Sequence, residues 1–201
     1  MLGLNSGITT SSVPSTTVLL ETYTADWSSD TDGWVSYASN DSTATLTHAT
    51  TFEGKSNTLR VQFNTDPEET GSAGISKPNV FSTTIKTGDI CVVTFDVYLD
   101  SAYDSTGDGS DDLTDLWEGT DAVTLQTGMI GGRTDSLSVT QNTWVSMDSE
   151  SDSPADIDNA YHGVDNQLEV LFSNTNDSPQ NGARFYIHNY VAKLYRTTVF
   201  T

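Results

Sequence analysis

From Val18 onward, apolar and polar residues alternate with a period of two. In 58–64, Leu59, Val61 and Phe63 share one face, while Arg60, Gln62 and Asn64 share the other. In 90–99 the apolar set is Cys91, Val93, Phe95, Val97 and Leu99, and in 167–173 it is Leu168, Val170 and Phe172. Successive strand side chains point to opposite faces, so such runs read as half-buried strands. The pattern predicts strands over 18–24, 33–38, 43–49, 58–64, 73–81, 90–99, 121–130, 136–139, 143–149, 167–173 and 183–196. Gly, Asn, Asp or Pro separates many of them. Residues 112–118, DLTDLWE, offer one short helical turn, and no stretch sustains a 3.6-residue apolar period. Strands with one apolar face each must bury it against a second sheet. The expectation is an all-β, two-sheet antiparallel β-sandwich of the jelly-roll type. Its core is expected to hold Phe63, Cys91, Phe95, Val170 and Ile187.

The segment Thr22–Tyr37, TYTADWSSDTDGWVSY, is the most informative part of the chain. Trp27 and Trp34 flank a polar stretch ending in Asp32-Gly33. Asp-Gly is strong turn chemistry, and indole rings on both sides of a bend pack back onto a core.

At 201 residues the length suits one sandwich domain, 18–201, behind an extended N-terminal arm, 1–17. Eight basic against 28 acidic residues leave a net charge of −20. Phosphates need Lys and Arg, so nucleic acid and anionic membrane surfaces are excluded as partners. The lone Cys91 excludes an internal disulfide and reads as a small core hydrophobe. The first eighteen residues contain no Lys or Arg and no apolar core, so no secretory signal is expected in them.

Three stretches resemble carbohydrate-binding-module jelly rolls. Asp26-Trp27 through Asp32-Gly33-Trp34 looks like the motif that opens such domains. Thr87-Gly88-Asp89-Ile90 with the following CVVTFDVYLD is similar to an internal strand, and Ala183–Tyr190 to the closing strand. Gln141-Asn142-Thr143-Trp144 resembles a strand start whose Trp is structural. The resemblance implies a sandwich that binds sugars without catalysis. It also implies a structural calcium near the first strands, with Asp26, Asp30 and Asp32 as contributors. The opening MLGL before a Ser/Thr/Gly stretch resembles the start of tailed-phage virion proteins.

Metal chemistry has one further candidate. Asp104, Asp108, Asp111 and Asp112 gather hard oxygen ligands beside flexible glycines, which suits calcium. The spacing is not that of a helix-loop-helix calcium loop, and a solvated acidic loop explains it better. Three scattered histidines and one cysteine make zinc unexpected. Glycoside hydrolysis needs a carboxylate pair, but with 28 acidic residues any pair can be chosen, so abundance has no diagnostic force. No nucleophile elbow or phosphate loop is present, and no enzyme is expected. A sugar site needs an aromatic platform beside planar polar groups. Asp96, Tyr98 and Arg60 lie on outward faces, Tyr103 follows, and Trp117 sits in an acidic stretch with no evident core. Arg184, Tyr186 and His188 share the outward face of the last strand; Trp27, Trp34 and Trp144 are expected in the core or at sheet margins.

Three functional readings follow. The first is a structural protein of a phage virion, a capsid decoration or cement protein assembled in the host cytoplasm. Its polar arm must dock to become ordered, and Leu2, Leu4 and Ile8 are its apolar handles. Its partners would be the major capsid protein and copies of itself, with surface glycans a further option. The alternative is a carbohydrate-binding or host-glycan adhesion domain. The third is a glycan-active enzyme. Calcium is the one cofactor considered.

Overall fold

The computed structural model describes residues 15–38, 43–64, 71–100, 122–129, 132–140, 142–148, 166–174 and 182–199. They form β1 (Ser15–Thr24), β2 (Val35–Ala38), β3 (Ala44–Phe52), β4 (Lys55–Phe63), β5 (Gly71–Pro78) and β6 (Asp89–Asp100). β7 (Ala122–Met129), β8 (Gly132–Thr140), β9 (Trp144–Asp148), β10 (Gln167–Asn174) and β11 (Arg184–Val199) follow. No helix occurs among the described residues. The six-stranded sheet has the order β3-β4-β11-β6-β9, with β1 also on β11; the five-stranded sheet has the order β2-β5-β10-β7-β8. Every pairing is antiparallel. The molecule is therefore the expected sandwich of two sheets with extensive strand crossover.

The alternation explains the core. Leu59, Val61 and Phe63 of β4 meet Phe185 and Ile187 of β11, and Cys91, Val93, Phe95, Val97 and Leu99 of β6 line the same interior. Leu168, Val170 and Phe172 of β10 close it from the other sheet. Trp27, Trp34 and Tyr190 stack edge-on in one end of this core. Burial pushes the Cys91 thiol up to about 12, so it is inert packing.

Strand ends depart from the sequence reading in two informative places. β1 begins at Ser15, because Ser15–Thr17 pair with Thr197–Val199. The β3–β4 hairpin runs on to a two-residue turn, Glu53-Gly54, rather than stopping at 49 and 58. Both turn residues take positive φ, 44° and 78°, as a type I′ turn requires. Ala49 (φ 53°) and Asn57 (φ 54°) also sit in the left-handed region, on opposite strands. They coincide with register shifts that break the alternation.

β11 is the spine of its sheet. β6 pairs along most of its length, while β4 and then β1 share its other edge. A bulge at Asn189 (φ 53°) separates the two halves.

Candidate functional site

The outer face of the six-stranded sheet gathers the polar and aromatic side chains that the alternation turns away from the core. Register sets the rows. Arg60, Tyr186, Tyr98 and Trp144 stand side by side across β4, β11, β6 and β9. The next row is His188, Asp96 and Ser146. The hairpin tip adds Phe52 and Lys55.

Phe52 stacks flat on Tyr186, with centroids 3.7 Å apart and planes 4° apart. Its edge also meets Tyr98 at 5.0 Å. Tyr98 makes an edge contact with Trp144 at 5.5 Å, and Trp144 with His188 at 6.2 Å. Such pairs add about 0.5–1.5 kcal/mol each beyond area burial, so the platform is stiff. Phe52 covers Tyr186, whereas Tyr98 and Trp144 stay half-buried at the surface. The Trp144 indole N–H is buried without a partner, and the Tyr98 hydroxyl makes no hydrogen bond among the described residues.

Asp96 organises the polar half. It accepts from Lys55 Nζ at 2.5 Å and Ser146 Oγ at 2.6 Å, and His188 Nδ1 lies at 3.3 Å. Partial burial works to raise its pKa, but the Lys55, Ser146 and His188 bonds prevail and hold it below the usual carboxylate range. Lys55 Nζ also sits 4.4 Å over the Trp144 ring. Arg184 pairs with Asp100 at 2.6 Å, and Arg60 donates to Thr47 at 3.1 Å. The face thus presents ring surfaces beside donors and acceptors; Lys55 and Arg184 are neutralised by Asp96 and Asp100, while Arg60 is bonded to a neutral hydroxyl.

Of the sequence candidates, Asp96, Tyr98 and Arg60 share this face. Trp144, expected in the core or at a margin, opens edge strand β9 and stands on the outer face beside Tyr98. Phe52, Lys55 and Ser146 are not among the sequence candidates. Type I′ turns prefer Asn-Gly or Asp-Gly, so Glu53-Gly54 gives only a weak hairpin signal toward the first two. Tyr103, Trp117, Asp104, Asp108, Asp111 and Asp112 lie outside the described residues, as do Leu2, Leu4 and Ile8 and the turn at 112–118.

The carboxylates at the Trp27–Trp34 turn are engaged separately. Asp26 accepts from the Ser28 amide, Asp30 from the Asp32 amide, and Asp32 from the Tyr23 hydroxyl at 2.5 Å. Lys77 Nζ donates to the Asp32 carbonyl. Asp32 and Gly33 both have positive φ, and the Trp34 amide bonds Thr31 O at 2.9 Å, which makes a second type I′ turn. Among the described residues no group of three or more His, Cys, Asp or Glu is placed to hold a metal ion.

No family model matches this chain, and no curated protein matches it by sequence. Solved structures of similar shape include an arabinose-bound α-L-arabinofuranosidase, at 10% identity and TM-score 0.49. The match covers 87% of this chain but spans only 25% of that enzyme. A xylan-binding domain from carbohydrate-binding module family 22 matches at 14% identity and TM-score 0.46, covering 85% of this chain and 92% of its own. A family 11 carbohydrate-binding module from Clostridium thermocellum, in complex with a β-1,3-1,4-mixed-linked tetrasaccharide, matches at 12% identity and TM-score 0.42, covering 85% and 94%. The jelly-roll assignment rests on the strand order and register above.

Proposed function

We propose that this chain is a non-catalytic module that binds a neutral glycan on the outer face of its six-stranded sheet. One observation carries the reading: Tyr98 and Trp144 stand together at the surface beside Asp96, Ser146, His188 and Lys55. Sugar rings offer C–H faces to aromatic rings and hydroxyls to planar polar groups, and this face supplies both. The paired charges and the net charge of −20 favour an uncharged ligand over an anionic one.

A non-catalytic role suits the electrostatics of the face. A glycosidase needs one carboxyl kept protonated by a raised pKa. Asp96 is held low by its partners, so it is a poor general acid. Binding of the full chain to soluble neutral polysaccharides, xylan and mixed-linkage glucan among them, tests the reading by calorimetry. Trp144→Ala or Tyr98→Ala should cost about 2 kcal/mol, roughly thirtyfold in Kd. The reading fails if no polysaccharide binds, or if both variants bind as the wild type does.

A second reading concerns where the module is displayed. Val18 and Leu19, at 47% and 48% exposure, follow closely on the N-terminal arm. Exposed apolar residues at the root of such an arm favour an assembly contact, and a phage particle carrying many copies is the setting we propose for it. Removing residues 2–14 spares β1 and should abolish incorporation into particles. Full incorporation of that truncated chain would overturn this second reading.

A further inference from the structure

Beside the aromatic platform lies a pocket of about 280 Å³, where three segments meet, two of them distorted at Asn57 and Asn189. The β11 bulge contributes His188 and Asn189, the kinked hairpin contributes Asn57, and the chain leaving β1 contributes Asp26 and Trp27. Its walls are fixed by backbone bonds: the Ala25 amide to Tyr190 O at 3.0 Å and the Ala49 amide to Trp27 O at 2.7 Å. Asn57 and Asn189 are both held at positive φ, and their side chains make no hydrogen bond among the described residues. Trp27 is 2% exposed, and its indole N–H has no partner among the described residues. A buried donor without an acceptor is costly, and strained residues with uncommitted amides concentrate at ligand sites.

His188 belongs to both places. It lines the pocket, faces Trp144 at 6.2 Å and reaches Asp96 at 3.3 Å. A chain lying on Tyr98 and Trp144 and continuing over His188 reaches the pocket mouth. The volume falls just below the roughly 300 Å³ at which drug-sized pockets begin, so it suits one sugar ring rather than several. Two amides, an imidazole and a carboxylate match a ring bearing several hydroxyls. Asp26, with no cation paired to it among the described residues, disfavours a carboxylated sugar.

We propose that this pocket is a subsite for one neutral sugar unit, a branch or chain end, of the glycan carried on the sheet face. The choice of a sugar as ligand rests on the binding reading above; the pocket itself rests on its own geometry.

The test titrates the ¹⁵N-labelled full chain and follows the indole N–H signals of Trp27 and Trp144, assigned through Trp27→Phe and Trp144→Phe. The probes are glucose, galactose, mannose, xylose, arabinose and glucuronic acid, then linear and branched arabinoxylan oligosaccharides. At least one neutral monosaccharide should move Trp27, Asn57 and Asn189 but not Trp144, and glucuronic acid should move none of them. Branched oligosaccharides should bind at least tenfold tighter than linear ones. The double variant Asn57→Gly/Asn189→Gly keeps the backbone conformation accessible and should erase that difference. The subsite is overturned if no probe moves Trp27, or if monosaccharide and branch preference survive in the double variant. Movement of Trp144 alone would leave the platform standing without the subsite. Movement of Trp27 alone would leave the subsite standing without the platform.

Discussion

Two clusters in this protein are built from the same four residue types, and they are bonded differently. At the turn end of the core, Tyr23, Trp34, Asp32 and Lys77 come together; on the sheet face, Tyr98, Trp144, Asp96 and Lys55 do. In each a lysine pairs with an aspartate and lies over an aromatic ring. In the first, bonding capacity is spent internally. The Trp34 indole donates to the Tyr23 oxygen at 2.9 Å, the Tyr23 hydroxyl donates to Asp32, and Lys77 donates to the Asp32 carbonyl. In the second, the buried Trp144 N–H and the Tyr98 hydroxyl make no hydrogen bond among the described residues. The closed cluster is a structural lock, whereas the open one is the cluster to which we assign the proposed glycan binding. Composition does not separate the two; saturation of donors and acceptors does.

Truncating the two tryptophans should give the largest contrast. Trp34 is 2% exposed among Trp27 and Tyr190, so Trp34→Ala should cost about 3–5 kcal/mol through the cavity it leaves. Trp144 is half-buried at a sheet edge, so Trp144→Ala should cost less than half as much stability while weakening the proposed glycan binding roughly thirtyfold. Urea denaturation beside polysaccharide binding measures both axes. Equal stability losses would erase the distinction between lock and platform.

How much of this is legible in the sequence follows from the same contrast. The core strands read directly, because Leu59-Val61-Phe63 and Val93 through Leu99 alternate. The same parity turns Asp96, Tyr98 and Arg60 outward. Parity fails at Ala49 and Asn57, where left-handed residues shift the register, so the hairpin tip with Phe52 and Lys55 falls outside the strand pattern. It also cannot place Trp144. That residue meets Tyr98 only because β9 pairs with β6 in one particular register, and strand partners far apart in sequence leave no local mark. The Asp-Trp to Asp-Gly-Trp segment stands out most in the sequence, yet it builds the lock. Turn chemistry is local, whereas a binding face is assembled from four strands.

Removing single hydroxyls sharpens the comparison at a smaller scale. Tyr23→Phe deletes the acceptor of the Trp34 N–H and the donor to Asp32, leaving a buried donor unpaired. That should cost about 1–3 kcal/mol. Tyr98→Phe removes a hydroxyl with no partner among the described residues and should stay within about 0.5 kcal/mol of wild type. If the two variants prove equally stable, the hydrogen-bond chain from Trp34 to Asp32 is not what closes the turn.

The smallest effect is expected from acid, and it probes the charge at the centre of the open cluster. Folding lowers the Asp96 pKa: burial opposes this, but the Lys55, Ser146 and His188 bonds outweigh it. The folded state therefore favours the ionised carboxylate. Its contribution to stability is complete above the unfolded pKa, near 3.8, and is lost as pH falls through the lower folded value. Asp96→Asn cannot titrate. The difference in melting temperature between wild type and Asp96→Asn should be constant from pH 7 to about pH 5 and should shrink steadily below about pH 4. The gap should also narrow with added salt, because the Lys55–Asp96 pair is partly exposed, at 26% and 18%. Parallel melting curves across the whole range would mean that Asp96 holds Lys55 and Ser146 by geometry alone, and the platform would lose its electrostatic anchor.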